Sequence, residues 1–134
     1  AASDVYKRQA NEVVATLQGQ VTFTDEIIAK DMDETNTFYD IDSTLVKDSA
    51  ALVGSGATAE MLSVWKAQDE AGAETIAEAL EQFNAGWKEA YADYKPEEVP
   101  KLETAVLRQD GNCVIYAVTA DNEAAADAID ALFE

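Results

Sequence analysis

Residues 61–94, MLSVWKAQDEAGAETIAEALEQFNAGWKEAYADY, carry the clearest secondary-structure signals of the chain. The first seven of them are predicted to form a strand. Asp69 is a typical helix N-cap, and the helix that it begins is predicted to run to Tyr94. Apolar residues recur there every three or four positions and share one helical face, namely Ile76, Leu80, Phe83, Trp87 and Tyr91. The stretch therefore predicts a strand followed by a long amphipathic helix.

Two hairpins are predicted around this helix. Residues 48–53 read as a strand that returns to residues 61–67 through a glycine-rich turn. Residues 102–108 and 113–119 alternate like strands, and Asp110-Gly111 between them predicts a type I′ hairpin turn. Pro96 and Pro100 stand between the long helix and this second hairpin, where they predict an extended link.

The remaining segments add two helices. Residues 10–17 predict an amphipathic helix, and another is predicted after Asp121 or Asn122. Residues 20–44 are mixed and polar, with isolated apolar anchors and a short helical turn near residues 33–39. We therefore expect an α+β fold in the order α-β-β-α-β-β-α. Its two hairpins make a four-stranded antiparallel sheet, with the helices packed mainly on one face.

Composition limits the possible functions. The 134 residues suit one domain, and 9 Lys and Arg against 27 Asp and Glu give a net charge of −18. Such a surface repels nucleic-acid phosphates and anionic membranes. The chain has no histidine and a single cysteine, Cys113, so the common catalytic triads, an internal disulfide and zinc or iron–sulfur sites lack their residues. We expect a monomer that is not an enzyme and holds no cofactor.

The beginning of the chain is unusual. Residues 4–9, DVYKRQ, resemble the translated end of a sequencing adapter, which predicts that residues 1–9 are a non-native leader and that residues 10–134 form a single domain. No apolar signal region is present in the first 30 residues. The alternative is a genuine helical start, since one helical face can hold Val5, Ala10, Val13, Val14 and Leu17.

Two groups of residues are candidate sites. Asp31, Asp33, Thr35 and Asp42 fall at ligand positions of an EF-hand calcium loop, although Asn36 replaces its glycine and Asp42 its long glutamate. Trp65 and Tyr116 both lie on predicted strands and form an exposed aromatic patch if they share an uncovered sheet face. Gly54-Ser55-Gly56 has no lysine and joins two strands, which favours a tight turn over a phosphate loop.

Two phrases resemble a known family: LVGSGATAE at residues 52–60 and YKPEEVPKLE at residues 94–103. They are similar to the domain-of-unknown-function 4358 family of bacterial cell-envelope lipoproteins. The resemblance spans roughly residues 42–133 and also fits the order of hairpins and helices. It implies an extracytoplasmic location in the cell envelope of a Gram-positive bacterium, with the native form membrane-anchored through an N-terminal lipid absent here. It carries no catalytic residues to transfer.

Two functions remain from these observations. The first is a non-catalytic interaction or structural module at the cell envelope, which contacts an unknown protein or the cell wall through one sheet face or edge. The alternative is a small-ligand or cation-binding module that uses the acidic segment 31–42 or a cleft between helix and sheet.

Overall fold

The structure is a computed structural model that describes residues 5–134 of the chain. Its strands are β1 (Ile27–Lys30), β2 (Val46–Gly54), β3 (Met61–Ala67), β4 (Val106–Asp110) and β5 (Cys113–Val118). Its helices are α1 (Ala10–Gln18), α2 (Met32–Tyr39), α3 (Glu70–Tyr94), α4 (Val99–Glu103) and α5 (Asn122–Leu132). The strands form one antiparallel sheet in the order β1-β2-β3-β5-β4. The predicted α+β class and antiparallel sheet are confirmed.

The long helix begins and ends where the sequence predicts. The Asp69 side chain accepts a hydrogen bond from the Gly72 N–H at 2.7 Å, which satisfies one of the free amides at the start of α3. Pro96 follows the last turn, and its ring cannot continue a regular helix.

The sheet has five strands, so the prediction of four was wrong. The additional strand β1 pairs with β2, from Ile27 opposite Gly54 to Lys30 opposite Ala51. It lies in the polar stretch for which the sequence predicts only isolated contacts. Four residues are too few for an alternating pattern to stand out, and an edge strand needs little apolar character.

The link between α3 and the second hairpin is helical rather than extended. A 3₁₀ turn covers Pro96–Glu98, and α4 follows it directly. Proline fits the first turn of a helix because the N–H that it lacks would have no intrahelical acceptor there. Leu102 is buried within α4, so β4 begins at Val106 instead of Leu102.

The predicted hairpin between β4 and β5 is present, but its turn differs from the prediction. Asp110 pairs with Cys113, which leaves Gly111 and Asn112 as the two loop residues. Gly111 has a φ of 58°, whereas Asn112 is not among the residues with positive φ. A type I′ turn needs positive φ at both positions, whereas a type II′ turn needs it only at the first. The pattern is that of type II′.

Helices cover both faces of the sheet, so the prediction that they pack mainly on one face was wrong. One face packs its side chains against α2, α3 and α4, and the other packs against α1 and α5. Every residue of β3 and β5 is buried. Strands buried on both faces read as continuous apolar runs, as CVIYAV in β5 does.

The stretch that the sequence identifies as a leader is described only from residue 5 onward; residues 1–4 lie outside the described part of the chain. Val5 is buried in the core cluster beside α1. The Tyr6 hydroxyl donates a 2.6 Å hydrogen bond to the Asp110 carboxylate, which raises the pKa of Tyr6 to about 12. The non-native origin of residues 1–9 stays a prediction.

Candidate functional site

The two aromatic residues of the predicted patch do share one sheet face, but that face is covered. Trp65 is 0% exposed and Tyr116 is 1% exposed. Tyr39 packs edge-on against both rings, at centroid distances of 5.5 Å and 6.1 Å respectively. Helices α2 and α3 thus enclose both side chains. Trp65 and Tyr116 are therefore part of the hydrophobic core and do not form an exposed patch.

The four candidate calcium ligands are not brought together. Asp31 caps the start of α2 by accepting from the Glu34 N–H at 2.9 Å. Thr35 is buried, and its hydroxyl donates to the Lys30 carbonyl. Asp42 accepts from the Thr44 N–H at 2.9 Å and from the Thr44 hydroxyl at 2.7 Å. Asp33 lies in the first turn of α2. Three of the four candidates thus bind local backbone, and the four are not among side chains placed together to hold a metal ion.

Among residues 5–134, no group of three or more acidic, histidine or cysteine side chains is placed to hold a metal ion. Within the same part of the chain, no helix is both long enough and apolar enough to cross a bilayer.

The two phrases on which the family resemblance rests contact each other. Glu60 ends the first phrase, and its buried carboxylate accepts from the Lys101 ammonium group of the second phrase at 2.7 Å. Lys101 also donates to Glu98 at 3.0 Å. The side chain of Glu60 is 0% exposed and that of Lys101 is 22% exposed, so one partner is fully withdrawn from water. This is a buried ion network between positions 41 residues apart in sequence.

Glu60 has hydrogen bonds from the segment before β1 as well. Its carboxylate accepts from the Thr24 N–H at 2.7 Å, the Thr24 hydroxyl at 2.6 Å and the Asp25 N–H at 3.1 Å. Burial acts to raise the pKa of Glu60, but the hydrogen bonds from Lys101 and Thr24 outweigh it and hold the pKa below its usual value. Glu60 is therefore ionised at neutral pH and serves as an acceptor.

Asp25 holds the glycine-rich turn. Its carboxylate accepts from the Ser55 N–H at 3.0 Å, the Ser55 hydroxyl at 2.7 Å and the Thr58 hydroxyl at 2.7 Å. A Cβ on Gly54 would lie 2.6 Å from the Asp25 carboxylate and 2.9 Å from the Glu60 carbonyl oxygen, so any larger residue forces the turn to shift. Burial acts to raise the pKa of Asp25, but the hydrogen bonds from Ser55 and Thr58 lower it overall.

The second phrase and the end of α3 bind the same turn from the other side. The Tyr91 hydroxyl donates to the Thr58 carbonyl at 2.7 Å, and Lys95 donates to the Ala57 carbonyl at 2.6 Å. Glu98 accepts from the Ala59 N–H at 2.8 Å. We call the set of side chains that hold this turn the loop clamp: Asp25, Glu60, Tyr91, Lys95, Glu98 and Lys101.

The loop clamp occupies backbone N–H groups of the turn that a phosphate loop would need. A phosphate site needs backbone N–H groups that are free to bind an anion. Here the N–H groups of Ser55 and Ala59 already bind carboxylates of the chain itself. The residues of both phrases therefore hold the protein together, and the interpretation of Gly54-Ser55-Gly56 as a tight turn agrees with these contacts.

The edge of the sheet at β4 is open, in contrast to both faces. All five residues of β4 are partly exposed. A hollow of about 200 Å³ lies on its α3 side, with Leu107, Asn84 and Tyr116 among its walls. A shallower hollow of about 540 Å³ lies on its α5 side, with Val106 and Glu123 in its lining. Ala105 and Leu107 line both hollows, so the two meet at this edge.

Two linked hydrogen bonds fix the inner wall of the α3-side hollow. The Tyr116 hydroxyl donates to the Asn84 side-chain oxygen at 2.6 Å, and the Asn84 amide donates to the Leu102 carbonyl at 3.0 Å. Burial raises the pKa of Tyr116 well above its usual value. The hydroxyl thus stays protonated, and the wall presents a neutral, fixed surface.

A basic hollow of about 170 Å³ lies near the start of the chain, with Lys7, Arg8, Lys47 and Lys66 in its lining. The Lys66 ammonium group is buried and donates to the Val5 carbonyl. Much of this hollow consists of residues 6–9, which the sequence assigns to a non-native leader. We assign it no function.

Comparison with protein-family models identifies the family. The model of a domain of unknown function, DUF4358, matches residues 20–119 of the 134-residue chain. The chain therefore belongs to the DUF4358 family, as its two phrases predict, and both phrases lie within the matched region. No curated protein and no solved structure matches the chain significantly.

Sequence reasoning missed the loop clamp and the β4 edge. The signal for the clamp was Glu60, a charged residue directly before the fully buried strand β3. A buried carboxylate needs a cation and hydrogen-bond donors, and Lys101 is a cation within the other phrase that carries the family resemblance. The β4 edge had no comparable signal in the sequence. Strand order decides which strand lies at the edge of the sheet, and the sequence does not give strand order.

Proposed function

We propose that this chain is a non-catalytic interaction domain that binds another protein at the cell envelope of a Gram-positive bacterium. The envelope location and the N-terminal lipid anchor follow from the lipoprotein character that the family resemblance implies. The observation that carries the interaction role is the open β4 edge with a hollow on each side.

Elimination among the surfaces supports this choice. The sequence points to one sheet face or edge as the contact surface. Both faces are packed under helices and the loop clamp satisfies its own polar groups, which leaves the two edges of the sheet, β1 and β4. Of these two edges we choose β4 because a hollow lies on each side of it. A sheet edge retains backbone donors and acceptors that can bind a partner.

The chemistry of the titratable groups also favours a non-catalytic role. General acid–base catalysis needs a carboxyl or hydroxyl group near its titration point and within reach of a substrate. Glu60 is fully buried and held ionised, and Tyr116 is buried and held protonated. Burial also raises the pKa of the Cys113 thiol, which weakens it as a nucleophile.

The alternative, a ligand or calcium module, has less support. The α3-side hollow of about 200 Å³ is smaller than typical ligand pockets of roughly 300–1,000 Å³, and the α5-side hollow of about 540 Å³ is a shallow depression rather than an enclosed cavity. Asp31 and Asp42 bind local backbone amides. A thermal melt with millimolar calcium, with EDTA as control, distinguishes the two functions. We expect no shift, whereas binding at a hundred times the dissociation constant would add about 2.7 kcal/mol and favour the alternative.

Site-specific photo-crosslinking tests the interaction role. A photoreactive amino acid replaces Gln109 on the β4 edge, or Gln82 on the exposed side of α3 as the matched control. The protein is expressed in the bacterium that carries it, and adducts are identified by mass spectrometry. We expect one recurring protein adduct from position 109 and not from position 82. Adducts from neither position, or equal adducts from both, would count against the proposal.

A further inference from the structure

The backbone groups of β4 that face away from the sheet can be identified from the hairpin register. Residues that flank a two-residue loop form a hydrogen-bonded pair, here Asp110 and Cys113. The Ala67 N–H bonds to the Asn112 carbonyl at 2.8 Å, so Asn112 faces β3 and Cys113 faces β4. Alternation then directs the N–H and C=O groups of Leu107 and Gln109 away from the sheet.

We propose that the β4 edge accepts an extended, lysine- or arginine-bearing segment of a partner protein as a sixth strand. This inference rests on the proposed interaction function and specifies its partner. The added strand forms one pair of backbone hydrogen bonds with Leu107 and a second pair with Gln109.

The two hollows receive the side chains of the added strand. Successive side chains of a strand point to opposite faces of the sheet. Side chains on the Leu107 face enter the α3-side hollow, and their neighbours enter the α5-side hollow beside Val106. A volume of about 200 Å³ suits one large side chain rather than a free small molecule.

The charges around the edge select a basic partner. Glu81 and Glu103 line the α3-side hollow with a single cation, Lys88, and Glu123 lines the α5-side hollow. Arg108, the one cation of β4, is already paired with Asp130 and Asp110. A lysine or arginine beside these glutamates gains attraction, and the net charge of −18 steers it toward the protein. A second copy of this chain brings the same negative charge and is disfavoured.

A designed peptide tests this inference on the whole chain. The probe is a fluorescein-labelled nine-residue peptide of alternating valine and lysine, and its control replaces each lysine with glutamate. Fluorescence anisotropy gives affinity, and amide NMR locates the contact. We expect the lysine peptide to bind with strong salt dependence and to slow hydrogen exchange at Leu107 and Gln109. The glutamate peptide should bind at least about tenfold more weakly.

A proline substitution isolates the backbone contact. Gln109→Pro removes an N–H that points out of the sheet, which an edge strand tolerates. Ala29→Pro is the matched control, since the pairing of β1 with β2 directs the Ala29 N–H outward at the opposite edge. We expect Gln109→Pro to weaken peptide binding about tenfold or more and Ala29→Pro to leave it unchanged. Circular dichroism and thermal melts verify that both variants fold.

A modified peptide keeps the test decisive if Gln109→Pro does not fold. The lysine peptide with every backbone amide N-methylated retains its side chains and charge but cannot pair with a strand. Loss of binding on methylation supports strand addition. Unchanged binding, or NMR shifts centred on another surface, would overturn it. A dimer seen by light scattering that Gln109→Pro abolishes would instead assign the edge to a second copy.

The outcomes separate this inference from the proposed function. A partner that crosslinks at position 109 but is displaced equally well by the N-methylated peptide leaves an interaction domain without strand addition. Absence of any position-specific crosslink in the native envelope removes the interaction function itself, whatever the designed peptide does.

Discussion

The loop clamp and the β4 edge use the same kinds of chemical group in opposite ways. In the clamp, carboxylates, ammonium groups and backbone amides of the chain bind one another, and Glu60 reaches Lys101 across 41 positions of sequence. At β4, the outward backbone groups of Leu107 and Gln109 face away from the sheet, between two hollows. The first region is closed on itself, and the second is available to a partner.

This difference separates the residues that identify the family from the residues that we expect to function. The phrases at residues 52–60 and 94–103 supply most of the clamp, so they identify the family through a contact that stabilises the fold. The β4 edge lies outside both phrases and has no sequence signature of its own. The two regions should therefore respond differently to substitution.

The largest expected effect comes from Glu60→Gln. The neutral amide leaves Lys101 with Glu98 as its remaining carboxylate. In either orientation it also places its NH₂ group against a donor, which is the Thr24 N–H or the Lys101 ammonium group. Breaking a buried ion network costs about 2–4 kcal/mol. Urea unfolding measures the loss, with Glu78→Gln on the exposed side of α3 as the control, for which a change within about 0.5 kcal/mol is expected. Equal losses in both variants would show that the network contributes nothing specific.

The second-largest effect is expected from acid, which should weaken the loop clamp. Hydrogen bonds lower the pKa values of Glu60 and Asp25 in the folded protein below those of the unfolded chain, which are about 4.3 and 3.9. The folded state then binds fewer protons, so this stabilisation is complete above the unfolded values and is lost as pH falls through the folded ones. Urea unfolding from pH 7 to pH 3 should show stability falling below about pH 4.5. The decline should be shallower in Glu60→Gln, and parallel curves would exclude Glu60 as a source.

Gly54→Ala tests the close approach of the turn to its carboxylate. The added Cβ meets the Asp25 side chain and, at 2.9 Å, the Glu60 carbonyl oxygen, which is backbone and cannot turn aside. We expect a loss of about 1–2 kcal/mol and faster hydrogen exchange at Ser55. Gly86→Ala is the matched control: its Cβ meets nothing within 4 Å inside α3, and a gain of about 0.5–1 kcal/mol is expected. Similar losses at both glycines would contradict this account.

The sequence predicts elements with a long periodic signal and misses those that depend on distant partners. Helix α3 was predicted from Asp69 to Tyr94 because five apolar residues repeat on one face. The strand β1 was missed because four residues at an edge carry no period. The burial of Trp65 and Tyr116 was missed because it depends on a distant element. Tyr39 on α2 packs against both rings from outside the predicted sheet.

The candidate site was less predictable than the fold. Glu60 and Lys101 lie in the two phrases that carry the family resemblance, yet nothing local in the sequence indicates that the two side chains meet. Their contact depends on α4 being helical, and two prolines at residues 96 and 100 favoured an extended link instead. The α+β class could be inferred from local patterns, whereas a contact across 41 positions could not.

The smallest effect is expected from Arg108→Gln, which breaks an ion network at the open edge. Arg108 contacts Asp130 and lies 4.7 Å from the centroid of the Phe133 ring, with about a third of its side chain exposed. An exposed ion pair and a cation–π contact together contribute about 1 kcal/mol, and urea unfolding measures this loss.

Salt distinguishes the loop clamp from the β4 edge further, because it screens exposed charges more than buried ones. In 1 M sodium chloride the loss from Arg108→Gln should shrink markedly, while the loss from Glu60→Gln should persist. If salt reduces both losses alike, the clamp is as open to water as the β4 edge, and the contrast between the two regions fails.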